Sequence, residues 1–128
     1  MKRAHPEDSI QKAVCDHLRA RAAPGVLWFH VPNGAKLGGA RNAKGIAIQG
    51  ARLKGLGVRP GVSDLILVHR GRAFALELKA PSGRATEQQM QFVSDFNAAG
   101  GFGTIASGLD EALRILEVWG LVRGQVQL

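Results

Sequence analysis

Tyrosine is absent from this sequence of 128 residues, aromatic residues make up only 5% of it, and cysteine occurs once, at Cys15. A single thiol excludes an intramolecular disulfide and a cysteine-only zinc site, and it predicts a reducing, cytoplasmic setting. No apolar run approaches the roughly 18 residues that a membrane-spanning helix needs, so no membrane partner is expected. The basic start, Met1 to Asp8, runs into an amphipathic stretch rather than the apolar core of a signal peptide. His5, His17, His30 and His69 have no zinc-like spacing with Cys15. Of these only His30, at a strand end, stands near a segment of interest. No Ser-His-Asp arrangement or phosphate-binding loop can be assembled, and the glycines from Gly34 to Gly39 lack a strand-turn-helix context.

What is present is positive charge. Lys and Arg total 17 against 10 Asp and Glu, for a formal charge of +7 and a pI near 10.5. That excess in a small chain points to a polyanion, nucleic acid before membrane, although plain solubility would account for it too. A composition that is 45% hydrophobic and 21% charged supports a packed core. There is no internal repeat, and the length predicts one domain over residues 1–128.

From Glu7 to Ala22, Ile10, Val14 and Leu18 recur every four positions beside Ala13, one face of an amphipathic helix that Pro24-Gly25 ends. Val26 to Val31 reads as a strand closed by Pro32-Asn33-Gly34. Residues 33–62 then hold eight glycines, six basic residues and no acid. A helix over about 41–54 is expected there, weakened by glycine. Lys36, Arg41, Lys44, Arg52, Lys54 and Arg59 are candidate DNA contacts, as is Arg84, with Arg70 and Arg72 beside them; a solvated surface loop is the competing reading.

Asp64 to Lys79 reads as a hairpin around Arg70-Gly71, closed by Pro81-Ser82-Gly83. Thr86 and Gln89 form a capping-box pattern at the start of a helix whose buried stripe is Met90, Phe92, Val93 and Phe96, and Gly100-Gly101 stops it. Phe102 to Ala106 is a further strand, and a last helix opens at Ser107 or Gly108 with Leu109, Ala112, Leu113, Leu116 and Val118 apolar. The order predicts an α/β domain, a central mixed sheet flanked by helices.

Hairpin geometry brings chemistry together. A two-residue turn pairs His69 with Arg72, and counting outward sets Asp64 opposite Glu77, with Lys79 on the same face. Phe74, Leu76 and Leu78 then point into the core. Two carboxylates facing one another repel unless a divalent cation lies between them, and oxygen ligands suit Mg²⁺ or Mn²⁺. Taken singly, acids and lysines at strand ends are ordinary. Charges placed within otherwise buried strands are not.

Gly61-Val62-Ser63-Asp64 followed by Glu77-Leu78-Lys79 resembles the PD-(D/E)xK nuclease motif. The chain is similar to stand-alone VRR-NUC domains, nuclease modules of phage and bacterial proteins and of the Fanconi-associated nuclease. Further matches are Glu7 before Ile10-Gln11, Pro32-Asn33-Gly34, Lys54-Gly55-Leu56-Gly57, and Thr86-Glu87-Gln88-Gln89. The resemblance implies a single restriction-endonuclease-like domain in which Asp64 and Glu77 bind Mg²⁺ or Mn²⁺, the Leu78 carbonyl assists, and Lys79 acts on the attacking water. It also implies cleavage that leaves a 5′-phosphate and a 3′-hydroxyl, and a homodimer acting on branched DNA such as a four-way (Holliday) junction. Ser63 stands where the family has proline, a difference confined to the turn.

Glu7 has two readings, a third metal-site acid or an acid that favours the helix dipole. Gln89 likewise is either a site residue by resemblance or only a cap, and Gln88 takes its place if the register moves by one. The expected function is structure-selective, metal-dependent DNA endonuclease activity. Its rivals are a non-catalytic basic DNA-binding module, an RNA-directed nuclease, which the scarcity of aromatics disfavours, and a sequence-preferring restriction-type enzyme.

Overall fold

A computed structural model describes residues 6–32 and 48–124. In chain order the elements are α1 (Pro6–Arg21), β1 (Leu27–His30), α2 (Ile48–Gly55), β2 (Leu65–His69), β3 (Arg72–Lys79), α3 (Glu87–Ala98), β4 (Phe102–Ser107) and α4 (Leu109–Val118). The four strands form one mixed sheet in sequence order: β1, β2 and β3 run antiparallel, and β4 joins β3 in parallel after the α3 crossover. The α/β domain with a helix-flanked mixed sheet is as expected.

Side-chain alternation divides the sheet into two unlike faces. Leu65 pairs with Leu76 and Leu67 with Phe74, and these residues, with Leu78, are buried against Val14, Cys15 and Leu18 of α1 and Ala112 and Leu116 of α4. Phe74 also meets Phe102 and Trp119, with ring centres 5.3 and 5.1 Å apart. This is the core. The other face carries Ala75, Glu77 and Lys79 and is covered over β3 and β4 by α3.

The β2–β3 hairpin turns through Arg70 at φ +51° and Gly71 at φ +77°. Two successive left-handed residues define the tight turn whose twist matches the strands it joins, which sets the His69–Arg72 pairing. At the other end of the hairpin Gly61 has φ +81° and passes close to α3.

The helix expected over about 41–54 is described from Ile48 to Gly55, and residues 33–47 lie outside the described residues. Two expectations need correction. Met90 is 50% exposed, because it shares the exposed stripe of α3 with Glu87, Gln91 and Ser94, whereas Val93 and Phe96 are the residues that pack against Gly103, and no residue of α3 is fully buried. Val118 is 78% exposed, since Leu109, Ala112 and Leu116 already occupy the inward face of α4.

Candidate active site

The hairpin register carries the site. Ladder pairing runs from His69–Arg72 to Leu65–Leu76, so the next positions outward are 64 and 77, as the turn geometry predicts. Asp64 Oδ2 accepts a hydrogen bond from the backbone N–H of Leu78 at 2.7 Å, which holds the carboxylate over β3. The backbone of Asp64 is held as well. Its carbonyl accepts from Val31 N–H and from His30 Nδ1, each at 2.8 Å. A carbonyl only accepts, so Nδ1 carries the proton.

Glu77 is buried, at 2% exposure, on the face opposite the apolar core. Its Oε2 accepts from Gln89 Nε2 at 3.1 Å and lies 3.8 Å from Lys79 Nζ. Its Oε1 is buried with no hydrogen-bond partner. Burial first, and the Asp64 carboxylate second, push Glu77 up to about 9 from an ordinary 4.5; Glu7 adds to the rise and Lys79 opposes it. Lys79 is itself buried and also reaches Glu7 Oε1 at 4.0 Å. The Glu7 side chain therefore turns from the first turn of α1 toward the sheet, and its Oε2 lies beside Gly83.

Gln89 takes both of the parts that the sequence offers as alternatives. Its Oε1 accepts from Thr86 N–H at 2.9 Å while its N–H donates to Thr86 Oγ1 at 3.1 Å, completing the capping box. Its Nε2 remains for Glu77. Gln88 is exposed.

The donor set suits a hard divalent cation: of two adjacent carboxyl groups, Glu77 has a buried oxygen without a hydrogen-bond partner and keeps its proton until a positive charge offsets the pair. Among the described residues no three acids or imidazoles converge as a closed cage. Two carboxylates with water and phosphate oxygens completing the shell is the usual Mg²⁺ arrangement. Ser63 is fully buried with its Oγ unpartnered beside this pair in sequence.

The described basic candidates are dispersed. Arg52 and Lys54 are exposed on α2, and Arg84 is exposed in the turn after β3. Arg70 and Arg72 sit at the hairpin tip, five residues along the strands from the 64–77 pair, roughly 17 Å away. Arg59 pairs with Asp95 at 2.6 Å. Lys36, Arg41 and Lys44 lie outside the described residues. Sequence reasoning missed the Arg59–Asp95 pair and the His30–Asp64 contact; the signal for the second was the placement of His30 at a strand end.

Neither a family model nor a curated protein matches this sequence. Solved structures do. One, a "VRR_NUC domain protein", superposes with a TM-score of 0.69 at 20% identity, over 99% of this chain and 100% of its own. The fold is that of a VRR-NUC domain. A second, titled "VRR_NUC domain", has a TM-score of 0.59 at 16% identity and covers 89% of this chain and 97% of its own. The VRR-NUC fold here thus spans nearly the whole sequence, with the Asp64–Glu77 pair at one end of its hairpin.

Proposed function

We propose that the protein is a metal-dependent, structure-selective DNA endonuclease. The observation that carries this reading is the buried Glu77, one oxygen without a partner, held beside Asp64 with Lys79 next to it. Binding alone gains nothing from acids placed near phosphate, whereas phosphodiester hydrolysis uses all three groups. The likeness to VRR_NUC domains supports the same reading.

Asp64 and Glu77 would hold Mg²⁺ or Mn²⁺, with the Leu78 carbonyl as a further oxygen. When bound, the cation supplies a Lewis acid for the scissile phosphate and an acidified water. Gln89 engages Glu77 Oε2 and so leaves Oε1 for the cation. Lys79 orients the attacking water and offsets charge that builds on the phosphate in the transition state. Glu7 holds Lys79 from the other side. Arg52, Lys54 and Arg84 contact backbone phosphates, which position DNA without reading its sequence. The substrate is branched DNA such as a four-way junction, cut by a homodimer that presents two such sites to symmetric strands.

The test is cleavage of a panel of four-way junction, flap, splayed arm, duplex, single strand and RNA with Mg²⁺ or Mn²⁺. Wild type is expected to cut branched DNA, and Asp64→Asn and Lys79→Ala are expected to lose at least 100-fold in rate, in keeping with removal of a key transition-state contact. A wild type that binds the panel but cuts nothing with either metal would leave a basic DNA-binding module instead. Light scattering of the purified protein, alone and with junction, checks the dimer.

A further inference from the structure

The basic segment that leads into β2 ends on an arginine that is already partnered. Arg59 Nη2 donates to Asp95 Oδ2 at 2.6 Å, and its guanidinium carbon lies 5.3 Å from the centre of the Phe92 ring. Two residues on, Gly61 runs so close to α3 that a Cβ there would overlap the backbone carbonyl of Gln88. Gln88, Phe92 and Asp95 stand at i, i+4 and i+7, a single stripe along the helix. Residues 59–61 therefore lie along α3 as a strap.

The adjacent stripe of α3 meets the sheet. Gln89 reaches Glu77, and Val93 and Phe96 sit against Gly103. With no fully buried residue of its own, α3 depends on such contacts to keep its place. The strap continues directly into Ser63 and Asp64. It thus joins the helix that carries Gln89 to the strand end that carries the first acid.

We propose that Arg59 is a positioning residue: through Asp95 and Phe92 it holds α3 where Gln89 engages Glu77, and its guanidinium serves that contact rather than a DNA phosphate. The inference rests on the nuclease reading above. Asp95 discriminates the two roles. Removing its charge frees Arg59 for a phosphate but breaks a strap.

The experiment measures single-turnover junction cleavage, DNA affinity over a range of salt, and amide exchange in the first two turns of α3 for Arg59→Ala, Asp95→Asn, the double variant, and Asp95→Asn in a Gln89→Ala background. Arg59→Ala is expected to slow cleavage about three- to tenfold, the combined worth of an exposed ion pair and a cation–π contact, and Asp95→Asn, which leaves the ring contact, about two- to fivefold. Their effects should not add, Asp95→Asn should have no further effect once Gln89 is gone, and DNA affinity and its salt slope should stay at wild-type values. Exchange at Gln89 and Met90 should quicken in both. The proposal is overturned if Arg59→Ala flattens the salt slope by about one unit while Asp95→Asn cleaves at the wild-type rate. Unchanged exchange in both variants overturns it as well. If wild type cuts nothing, the nuclease reading falls, and the exchange data alone decide the strap.

Discussion

Glu77 is a carboxylate whose two oxygens live in different surroundings, one bonded to Gln89 and the other buried and unpartnered. Burial raises its pKa to about 9 from 4.5, so the folded metal-free protein holds a proton that the unfolded chain releases. The sign follows from linkage: the stability this carboxyl allows is fully present below pH 4.5 and declines as pH rises from there through about 9. Glu77→Gln, neutral at every pH, should therefore melt several degrees above the metal-free wild type at pH 7.5. The gap should close on acidification to pH 4.5, in thermal melts with chelator present. The same variant should bind no Mn²⁺ in calorimetry and should not cut. Manganese binding to wild type at pH 7.5 should release close to one proton, read as a dependence of binding heat on the ionisation enthalpy of the buffer.

α3 shows how one element serves fold and site together. Thr86 and Gln89 close its first turn, and the same glutamine amide reaches Glu77. Thr86→Ala removes the side-chain cap and should cost about 1 kcal/mol. The bond that fixes the Gln89 amide is donated by the backbone N–H of residue 86, which alanine keeps, so the expected result is a lower melting temperature with cleavage close to the wild-type rate; slower cleavage would mean that the first turn must be capped for Gln89 to reach Glu77. The capping box was legible because its spacing is local. The exposure of Met90 was not, since it depends on which stripe of α3 the sheet takes, and Met90 falls on the exposed one with Glu87, Gln91 and Ser94. Local patterns fix which residues share a stripe, while the neighbour decides how deeply the stripe is buried.

At the scale of the molecule, the described arginines of the hairpin stand apart from the site. The acids gather at one end of the β2–β3 hairpin, and Arg70 and Arg72 occupy the other. Of the described basic candidates, Arg52, Lys54 and Arg84 are exposed, and they are the proposed phosphate contacts. Alanine at any one of them should weaken DNA binding on every sequence alike and flatten the dependence of log affinity on log salt by about one unit, checked by titrations from low to moderate salt. None of the described helices is long and apolar enough to cross a membrane.

The amino-acid sequence by itself determined the hairpin register, the α/β order and the pairing of Asp64 with Glu77, because a two-residue turn and a period of two leave no freedom in which side chains face one another. Only the tertiary structure decided that Glu7 turns toward Lys79, that Gln89 does two jobs and that Arg59 is engaged by Asp95. The Gln89–Glu77, Arg59–Asp95 and Glu7–Lys79 contacts join residues 12 to 72 positions apart. No local periodicity encodes such distances; they are set by the depth at which α1 and α3 pack on the sheet.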